Sequence, residues 1–585
     1  MILLEENKPR DLYFIKRLLK YMIIRKKILL LVFLFVILNL LLSFLIPYLI
    51  SDIIDHYLLE SKINSFFLTA GLYFILSFFG AHILTYFSQL LLVNIGEEGL
   101  YNIRADVFKK IQELDINFFH TTPKGEILSR MTNDLESMHA ILSGQIIFTI
   151  YSILLLLGFL IIMFFISPVL MIFSTIIFPL YLLTMFLNKK YIRPFRNKVQ
   201  ESTGKLSSVM TENIKGIKVS NSFARNKENQ NEFQEVNSNL SESFIEYGKF
   251  EALINPLSDN FSPLTKIVIL ILGSYVIFTS ESSILTAGIL LLYLLYIDRF
   301  IYPIWVISNI YNQIQMTFAS FERIITILDH PIAVRESEHA VPLQISEGLI
   351  EMKKVCFTYD ENDKPILHDF NLTINPNTTV AIVGETGAGK TTIMNLIARL
   401  YDIQGGEILI DHQDIRDVTL ASLKKNLRIV LQDPVLFCES IRYNLTYGFE
   451  VSDEEIQSIL TLLGIDFVLN LPNGLDTVVG ERGGKLSLGQ KQLLSFARAI
   501  IPNPKILLLD EATSSIDPQA ELKIQKAMAK MTKNRTCLII AHRLSTVHQA
   551  DMIFVIGNGK IIERGTFNQL LEQKGHFHEL WQFYS

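Results

Sequence analysis

Apolar residues fall in long, nearly unbroken runs before Ser320 and in short runs after it, so the two halves of the chain predict different architectures. Ahead of Ser320, six stretches are long enough to cross a bilayer as helices: Ile28 to Ile50, Phe66 to Val93, Ile146 to Ile166, Pro168 to Leu187, Phe261 to Phe278, and Ile284 to Ile307. The second half has none. Its apolar runs, among them Val380 to Val383, Ile506 to Leu509 and Thr536 to Ile540, have the length of buried strands.

Two polar segments between the spans, Asn94 to Met138 and Asn188 to Asn260, are long, and neither is glycine- or serine-rich. They read as helical extensions that carry the spans past the membrane surface, with short turns at their tips. After the last span the chain is irregular around Asp329-His330-Pro331 and from Arg335 to Val341. The expected organisation is therefore an all-α six-helix transmembrane domain over residues 1–325, a linker over 326–345, and an α/β domain over 346–585.

Composition agrees. Half of the 585 residues are hydrophobic, 19% are charged and the mean hydropathy is +0.33, values too apolar for a purely soluble chain of this size. Lys8, Arg10, Lys16, Arg17, Lys20, Arg25, Lys26 and Lys27 crowd the N-terminus, whereas Ser51 to Ser65 is mostly acidic and Thr279 to Ser283 carries no basic residue. The excess of positive charge predicts that the N-terminus stays in the cytoplasm, and six crossings return the C-terminal half there too. The first apolar run is too long for a cleavable signal peptide and lacks a cleavage site after it. Before it, Leu12, Ile15 and Leu19 recur at helical spacing among basic residues, which suits a helix in the inner headgroup layer or a solvated basic helix. Cys356, Cys438 and Cys537 show no metal-ligand spacing and read as reduced structural thiols. The net charge of −5 says little, because the halves face different solvents. No basic, aromatic-interleaved patch argues for nucleic acid.

The chemistry sits in the second half. The strand Val380 to Val383 feeds the loop Gly384-Glu385-Thr386-Gly387-Ala388-Gly389-Lys390-Thr391-Thr392, and a helix is expected through Ile393 to Leu400. Glycines let backbone N–H groups turn toward phosphate oxygens, Lys390 neutralises the terminal phosphates, Thr391 offers its hydroxyl to Mg2+, and the helix dipole adds to the same field. Downstream, the apolar run ending at Leu509 delivers Asp510 and Glu511. Asp510 suits Mg2+, and Glu511 can polarise the water that attacks the terminal phosphate.

Further motifs recur in order: Tyr359 ahead of the first strand, Gln432, Thr477-Val478-Val479-Gly480-Glu481-Arg482-Gly483, Leu486-Ser487-Leu488-Gly489-Gln490, Ser514-Ser515-Ile516-Asp517, and His542. With these the chain resembles an ABC transporter of the exporter type, a half-transporter with one membrane domain ahead of one α/β P-loop ATPase domain. The membrane half matches at Phe118-Phe119, at Pro123 to Asp134 and at Glu212 to Lys218. The resemblance implies ATP and Mg2+ as ligands, Tyr359 stacked on adenine, Gln432 on Mg2+ or the attacking water, and His542 on the terminal phosphate. It also implies that Ser487, Gly489 and Gln490 meet ATP held by a second half-transporter. The tips near Asn117 to Thr122 and Asn213 to Lys218 are then expected to dock on ATPase domains.

One departure stands out. The family's signature segment has glycine where this chain has Leu488, and a leucine weakens the close backbone approach to phosphate. Beside a complete hydrolytic set, Lys390, Asp510, Glu511 and His542, this suggests a heterodimer whose partner supplies an intact signature and itself lacks the catalytic glutamate. A homodimer tolerating Leu488 is the alternative. The leading expectation is ATP-driven export of hydrophobic or amphipathic compounds, multidrug or lipid-like, across a bacterial plasma membrane; import on the same fold, or an ATP-gated channel or regulatory subunit, are the alternatives. No peptidase domain precedes the first span, so leader cleavage by this chain is not expected. Within the spans, His82, Lys266, Asp298 and Arg299 are ionisable, and Lys266 and Asp298 lie at matching depth, so they can pair across the hairpin; structural glue or snorkelling near the inner interface and a substrate site are the alternative readings.

Overall fold

The computed structural model describes residues 13, 16–18, 20–21, 25–55, 65–175, 178–279, 286–359, 364–510, 517–541 and 544–584. The chain forms two compact units: Met1–Lys110 with Leu128–Asp329, and Ile111–Ile127 with His330–Ser585.

The first unit is helical. Its elements are α1 (Lys26–Ile53), α2 (Ser65–Glu113), then, past the short α3 (Ile116–Thr121) that belongs to the second unit and α4 (Lys124–Ser129) that straddles the boundary, α5 (Leu135–Ala140), α6 (Ile146–Ile166), α7 (Pro168–Thr175), α8 (Phe178–Lys215), α9 (Ile217–Ser222), α10 (Asn226–Asp259), α11 (Phe261–Thr279) and α12 (Ala287–Leu328). Among the described residues five helical stretches are long and apolar enough to cross a membrane: Lys26–Ile53, Leu68–Glu113, Lys124–Ile166, Phe261–Thr279 and Ala287–Ile304. The expected fourth span falls on α7 and α8, and residues 176–177 between them lie outside the described residues. Leu12, Ile15 and Leu19 lie outside them as well.

The long polar segments are helical, as their composition implies. α2 runs on to Glu113, and α8 and α10 form a hairpin joined through α9. Lys198 and Glu246 pair across that hairpin at 2.7 Å, and the Phe195 and Phe250 rings stack at 4.3 Å. Proline would ordinarily break a helix. Pro47 in α1 and Pro303 in α12 nonetheless lie inside continuous helices, where neighbouring helices can satisfy the freed backbone groups.

Side-chain hydrogen bonds tie the bundle together where apolar packing alone would allow sliding. On α12, Tyr293 donates to the carbonyls of Met163 and Ser167, and Tyr296 to that of Phe44 at 3.0 Å. Asp55 accepts from the Thr286 hydroxyl and from the Gly288 amide at 2.7 Å, pinning the end of α1 to the start of α12. Asp134, buried, receives Arg323 through Nε at 2.8 Å and through a second nitrogen. Arg17 reaches Asp329 at 2.7 Å and Tyr21 donates to Asp106 at 2.9 Å, so the described part of the N-terminal helix is held by the bundle. Lys266 and Asp298 do pair, at 2.6 Å. His82 bonds locally, to the Phe78 carbonyl at 2.8 Å.

The second unit is α/β. A four-stranded antiparallel sheet has the order β2-β1-β4-β5, with β1 (Ile350–Phe357), β2 (Leu367–Ile374), β4 (Gly405–Ile410) and β5 (Gln413–Asp414). A six-stranded sheet has the order β10-β9-β3-β8-β7-β6, with β3 (Thr379–Gly384), β6 (Leu427–Val430), β7 (Ile506–Asp510), β8 (Thr536–Ile540), β9 (Met552–Gly557) and β10 (Lys560–Gly565). β9, β3, β8, β7 and β6 run parallel, and the residues of β7 and β8 are buried throughout, as the continuous apolar runs predict. Helices α13 (Lys390–Ile397), α14 (Leu420–Asn426), α15 (Ile441–Thr446), α16 (Asp453–Leu463), α17 (Leu488–Ile500) and α18 (Pro518–Met531) complete the unit with α19 (Leu544–His548), α20 (Phe567–Gln573) and α21 (His576–Tyr584).

The tip helix α3 folds with this second unit. Asp115 caps it by accepting from the Phe118 amide at 3.2 Å, and its other oxygen accepts from the Ala333 amide at 3.1 Å. Phe118 is buried with its ring 5.0 Å from that of His330, and Ile116 packs on the hydrophobic core under the antiparallel sheet. The segment leading into β1 is fixed by Asp411, whose carboxylate accepts from the backbone amides of Ser346, Glu347, Gly348 and Leu349.

Candidate nucleotide site

Parallel pairing brings the candidate groups to one edge of the large sheet. Val430 pairs with Leu509, Asp510 with Ile540, and Ile540 with Ile382. The C-terminal ends of β6, β7, β8 and β3 therefore lie side by side, and the chain leaves them at Gln432, Asp510, Ala541 and Gly384. Such an edge is where α/β sheets bind ligands. Gln432 is exposed on the loop after β6. Glu511 and His542, which follow β7 and β8, lie outside the described residues, as do Ser514 to Ile516.

The loop after β3 has the backbone that a phosphate cradle requires. Gly389, the residue before α13, has φ of +99°, and Gly384 has φ of +154° with a Cβ there running into the Ile556 carbonyl. α13 starts at Lys390, directly on the loop, and ends at Ile397, short of the expected Leu400, so its N-terminal amides face the loop. Lys390 is only 7% exposed and donates from Nζ to the carbonyls of Gly384 at 2.8 Å and Glu385 at 2.7 Å. Burial pulls its ammonium below the ordinary lysine range, and the charge of Asp510 pulls it back up. Asp510 is 9% exposed at the end of β7. A buried cation, inward amides, the hydroxyl-bearing Thr391 and a carboxylate form a donor set that fits a nucleotide triphosphate with its divalent ion.

Tyr359 follows β1 by two residues rather than preceding the first strand. A strand pairing with β2 and β4 precedes the phosphate-loop strand, which the apolar pattern alone does not disclose. Its hydroxyl lies 3.1 Å from that of Thr392, and its ring meets those of Phe357 and Tyr401 edge-on at 4.9 and 5.1 Å. It stays 37% exposed, leaving ring surface for a planar base. Tyr401, whose phenol burial pushes up to about 12, has no motif around it and is found only by the fold.

The segment around Leu488 lies apart in sequence but opens α17. Ser487 Oγ accepts from the Gln490 amide at 3.2 Å, and Gln490 Oε1 accepts from the Ser487 amide at 2.9 Å, a reciprocal cap that fixes the helix start. Gly489 is buried; Leu488, at the first helical position, is 41% exposed. Near Gln432, a cavity of about 130 Å³ is lined by Arg428, Asp433, Val435, Tyr447, Phe449 and Arg498 among others.

A P-loop ATPase unit with this sheet order, carried behind a helical membrane-type unit, defines the class. Comparison with known proteins narrows it. The ABC transporter transmembrane region family matches residues 29–304 and the ABC transporter family matches residues 367–514. The ABC transporter ATP-binding protein YknV of Bacillus subtilis is 38% identical over 531 residues, 89% of this chain and 87% of the relative. The ATP-dependent lipid A-core flippase of Syntrophus aciditrophicus is 34% identical over 500 residues, 85% of this chain and 82% of that protein. The structure of a bacterial Atm1-family ABC exporter with ATP bound matches at a TM-score of 0.77 and 26% identity, covering 96% of this chain and 98% of the other. The chain belongs to the ABC transporter family: a membrane-spanning domain fused to an ATP-binding domain whose ATP hydrolysis is coupled to transport.

Proposed function

We propose that this chain is one half of an ATP-driven exporter that moves hydrophobic or amphipathic compounds across a bacterial plasma membrane, with both termini in the cytoplasm. The observation that carries the reading is the shared sheet edge: β3, β6, β7 and β8 end together, so one ATP held by the loop Gly384 to Thr392 comes within reach of four separate segments. In this reading the loop amides and Lys390 hold the phosphates, Tyr359 takes the adenine, and Mg2+ would be held by Thr391, Asp510 and Gln432. Glu511 activates the attacking water and His542 orients it. An ion held there would supply positive charge against the phosphates.

Ser487, Gly489 and Gln490 serve the ATP of a second half-transporter. Leu488 supports a partner of different sequence, with an intact signature and no catalytic glutamate. α3 seats on its own chain's ATPase unit, whereas Ile217, Val219 and Phe223 at the second tip are exposed. They suit docking on the partner, beside its Gln432-equivalent loop. ATP then closes the ATPase domains because it binds the closed pair better than the open one, and the helical extensions carry that change to the membrane cavity.

The test is ATP-dependent uptake of a fluorescent amphiphile into inside-out vesicles carrying this chain with and without its co-encoded half-transporter. Accumulation that needs both chains and fails with Glu511→Gln supports the reading. Uptake into right-side-out vesicles instead would make it an importer, and movement only down a gradient a channel.

A further inference from the structure

Three charged side chains stand at one depth in the spans. Lys266 is thirteen residues from the end of α11 at Thr279, and Arg299 is twelve from the start of α12 at Ala287, so both lie about 18–20 Å along helices that cross a core of about 30 Å. Asp298 is answered on both oxygens: Oδ2 accepts from Lys266 Nζ at 2.6 Å and Oδ1 from Ser262 Oγ at 2.6 Å. That cluster is electrically neutral.

Arg299 is not answered in the same way. As the next residue on α12 it points about 100° round the helix from Asp298. Among the described residues its guanidinium meets the Ser43 carbonyl, at a long 3.4 Å, and no carboxylate, and the residue is exposed. What lies beside it is polar but uncharged. Ser43 Oγ is 3.2 Å from Tyr151 Oη, Tyr151 donates to Asn39 Oδ1 at 2.9 Å, and Asn39 donates to Thr85 Oγ1 and to the Ala81 carbonyl, each at 2.7 Å. A guanidinium has five donors in a fork matched to carboxylate or phosphate, and at this depth an unanswered charge is costly. The neutral network next to it cannot cancel that charge, and the apolar spans cannot solvate it.

We propose that Arg299 is the anion-binding point of the translocation path, and that the transported compound is an amphiphile with a phosphate or carboxylate headgroup. This rests on the export reading above and names its substrate class. The headgroup takes the open donors of Arg299, while the apolar spans accommodate the tail. Lys266 does not compete for the headgroup because Asp298 already neutralises it.

The experiment uses the full chain, with its co-purified partner subunit if one is present, nucleotide-free in detergent. The probes are phosphatidylglycerol and phosphatidylcholine bearing the same fluorescent acyl chain, read by anisotropy. The wild type should bind the anionic lipid about tenfold more tightly, Arg299→Met should bind both alike, and Arg299→Lys should keep most of the preference. Asp298→Asn, which leaves Lys266 unpaired, should strengthen the preference, a gain that a misfolded variant could not give. Competition by inorganic phosphate would show that the anion alone is recognised, and competition only by unlabelled phosphatidic acid that the headgroup must be carried on a lipid; either supports the site. Equal affinity of the wild type for both lipids, or a preference surviving Arg299→Met, overturns it. So does loss of the dimer in Arg299→Met without a change in lipid preference, which would assign the guanidinium to a carboxylate of the second subunit. ATP-driven movement of the labelled lipid is read separately in inside-out vesicles. Its absence beside an intact lipid preference would overturn export and still support the anion site.

Discussion

Lys390 Nζ donates to the carbonyl oxygen of Gly384 at 2.8 Å, so the cation of the phosphate loop is held by the loop it serves. Incoming phosphate oxygens must replace two carbonyls, and the buried ammonium gains partners that carry full charge. Lys390→Met should lower ATP hydrolysis by about 10²-fold or more, the scale for losing a preorganised charge at a phosphate. Phosphate release by the purified transporter measures it.

Glu511→Gln removes the proposed base while keeping the shape of the side chain. Turnover should fall by about 10²- to 10⁴-fold, and ATP should remain trapped in closed dimers. Nucleotide retained after rapid gel filtration is the readout. Rapid hydrolysis by this variant would assign the base elsewhere.

Leu488→Gly restores close backbone approach at the start of α17 at the cost of about 1 kcal/mol of local helix propensity. In a heterodimer it should tighten ATP at the site completed by the partner's phosphate loop, leaving the rate at the Glu511 site within about twofold. In a homodimer the overall rate itself should rise. Site-resolved nucleotide binding to the purified pair separates the two.

Asp411 supports the segment leading into β1 through four backbone amides. Burial alone would raise its carboxyl, but the amides of Gly348, Glu347, Leu349 and Ser346 together outweigh that and hold it below the usual carboxylate range. A depressed carboxyl stabilises the fold above its unfolded value near pH 4 and loses that contribution as pH falls through the lower folded value. Asp411→Asn should destabilise the ATPase unit by about 1–3 kcal/mol at neutral pH. Denaturant titrations should show the gap from wild type closing below about pH 4.

The Lys266–Asp298 pair is partly exposed, with side chains 33% and 52% accessible. Neutralising either partner alone should lower the thermal midpoint by about 2–4 °C, and exchanging the two charges should restore most of it. Failure of the exchange to restore stability would mean that Ser262, not the charge pairing, is what holds Asp298.

Spans, helical extensions and the phosphate loop were legible in the sequence because each is a local pattern. Twenty apolar residues must form a helix in a bilayer, and glycines before Gly-Lys-Thr must turn. Pairing of Lys266 with Asp298 was within reach as well, since equal depth on adjacent helices is a matter of counting. Tyr359 was placed at the wrong end of its strand because β1 belongs to an antiparallel sheet whose partners β2 and β4 are distant in sequence. The same distance hid Tyr401, Asp411 and the contact of Phe118 with His330.

What the sequence determined by itself, then, is which segments are long and apolar enough to cross a membrane and which residues have the chemistry to handle a nucleotide, because those follow from composition and spacing along the chain. Only the tertiary structure decided that β3, β6, β7 and β8 end at one edge, that the tip at α3 belongs with the ATPase unit of its own chain, and that Arg299 is left facing a neutral network. Register and helix rotation are set by burial against partners far away in sequence, and no local pattern encodes where those partners will be.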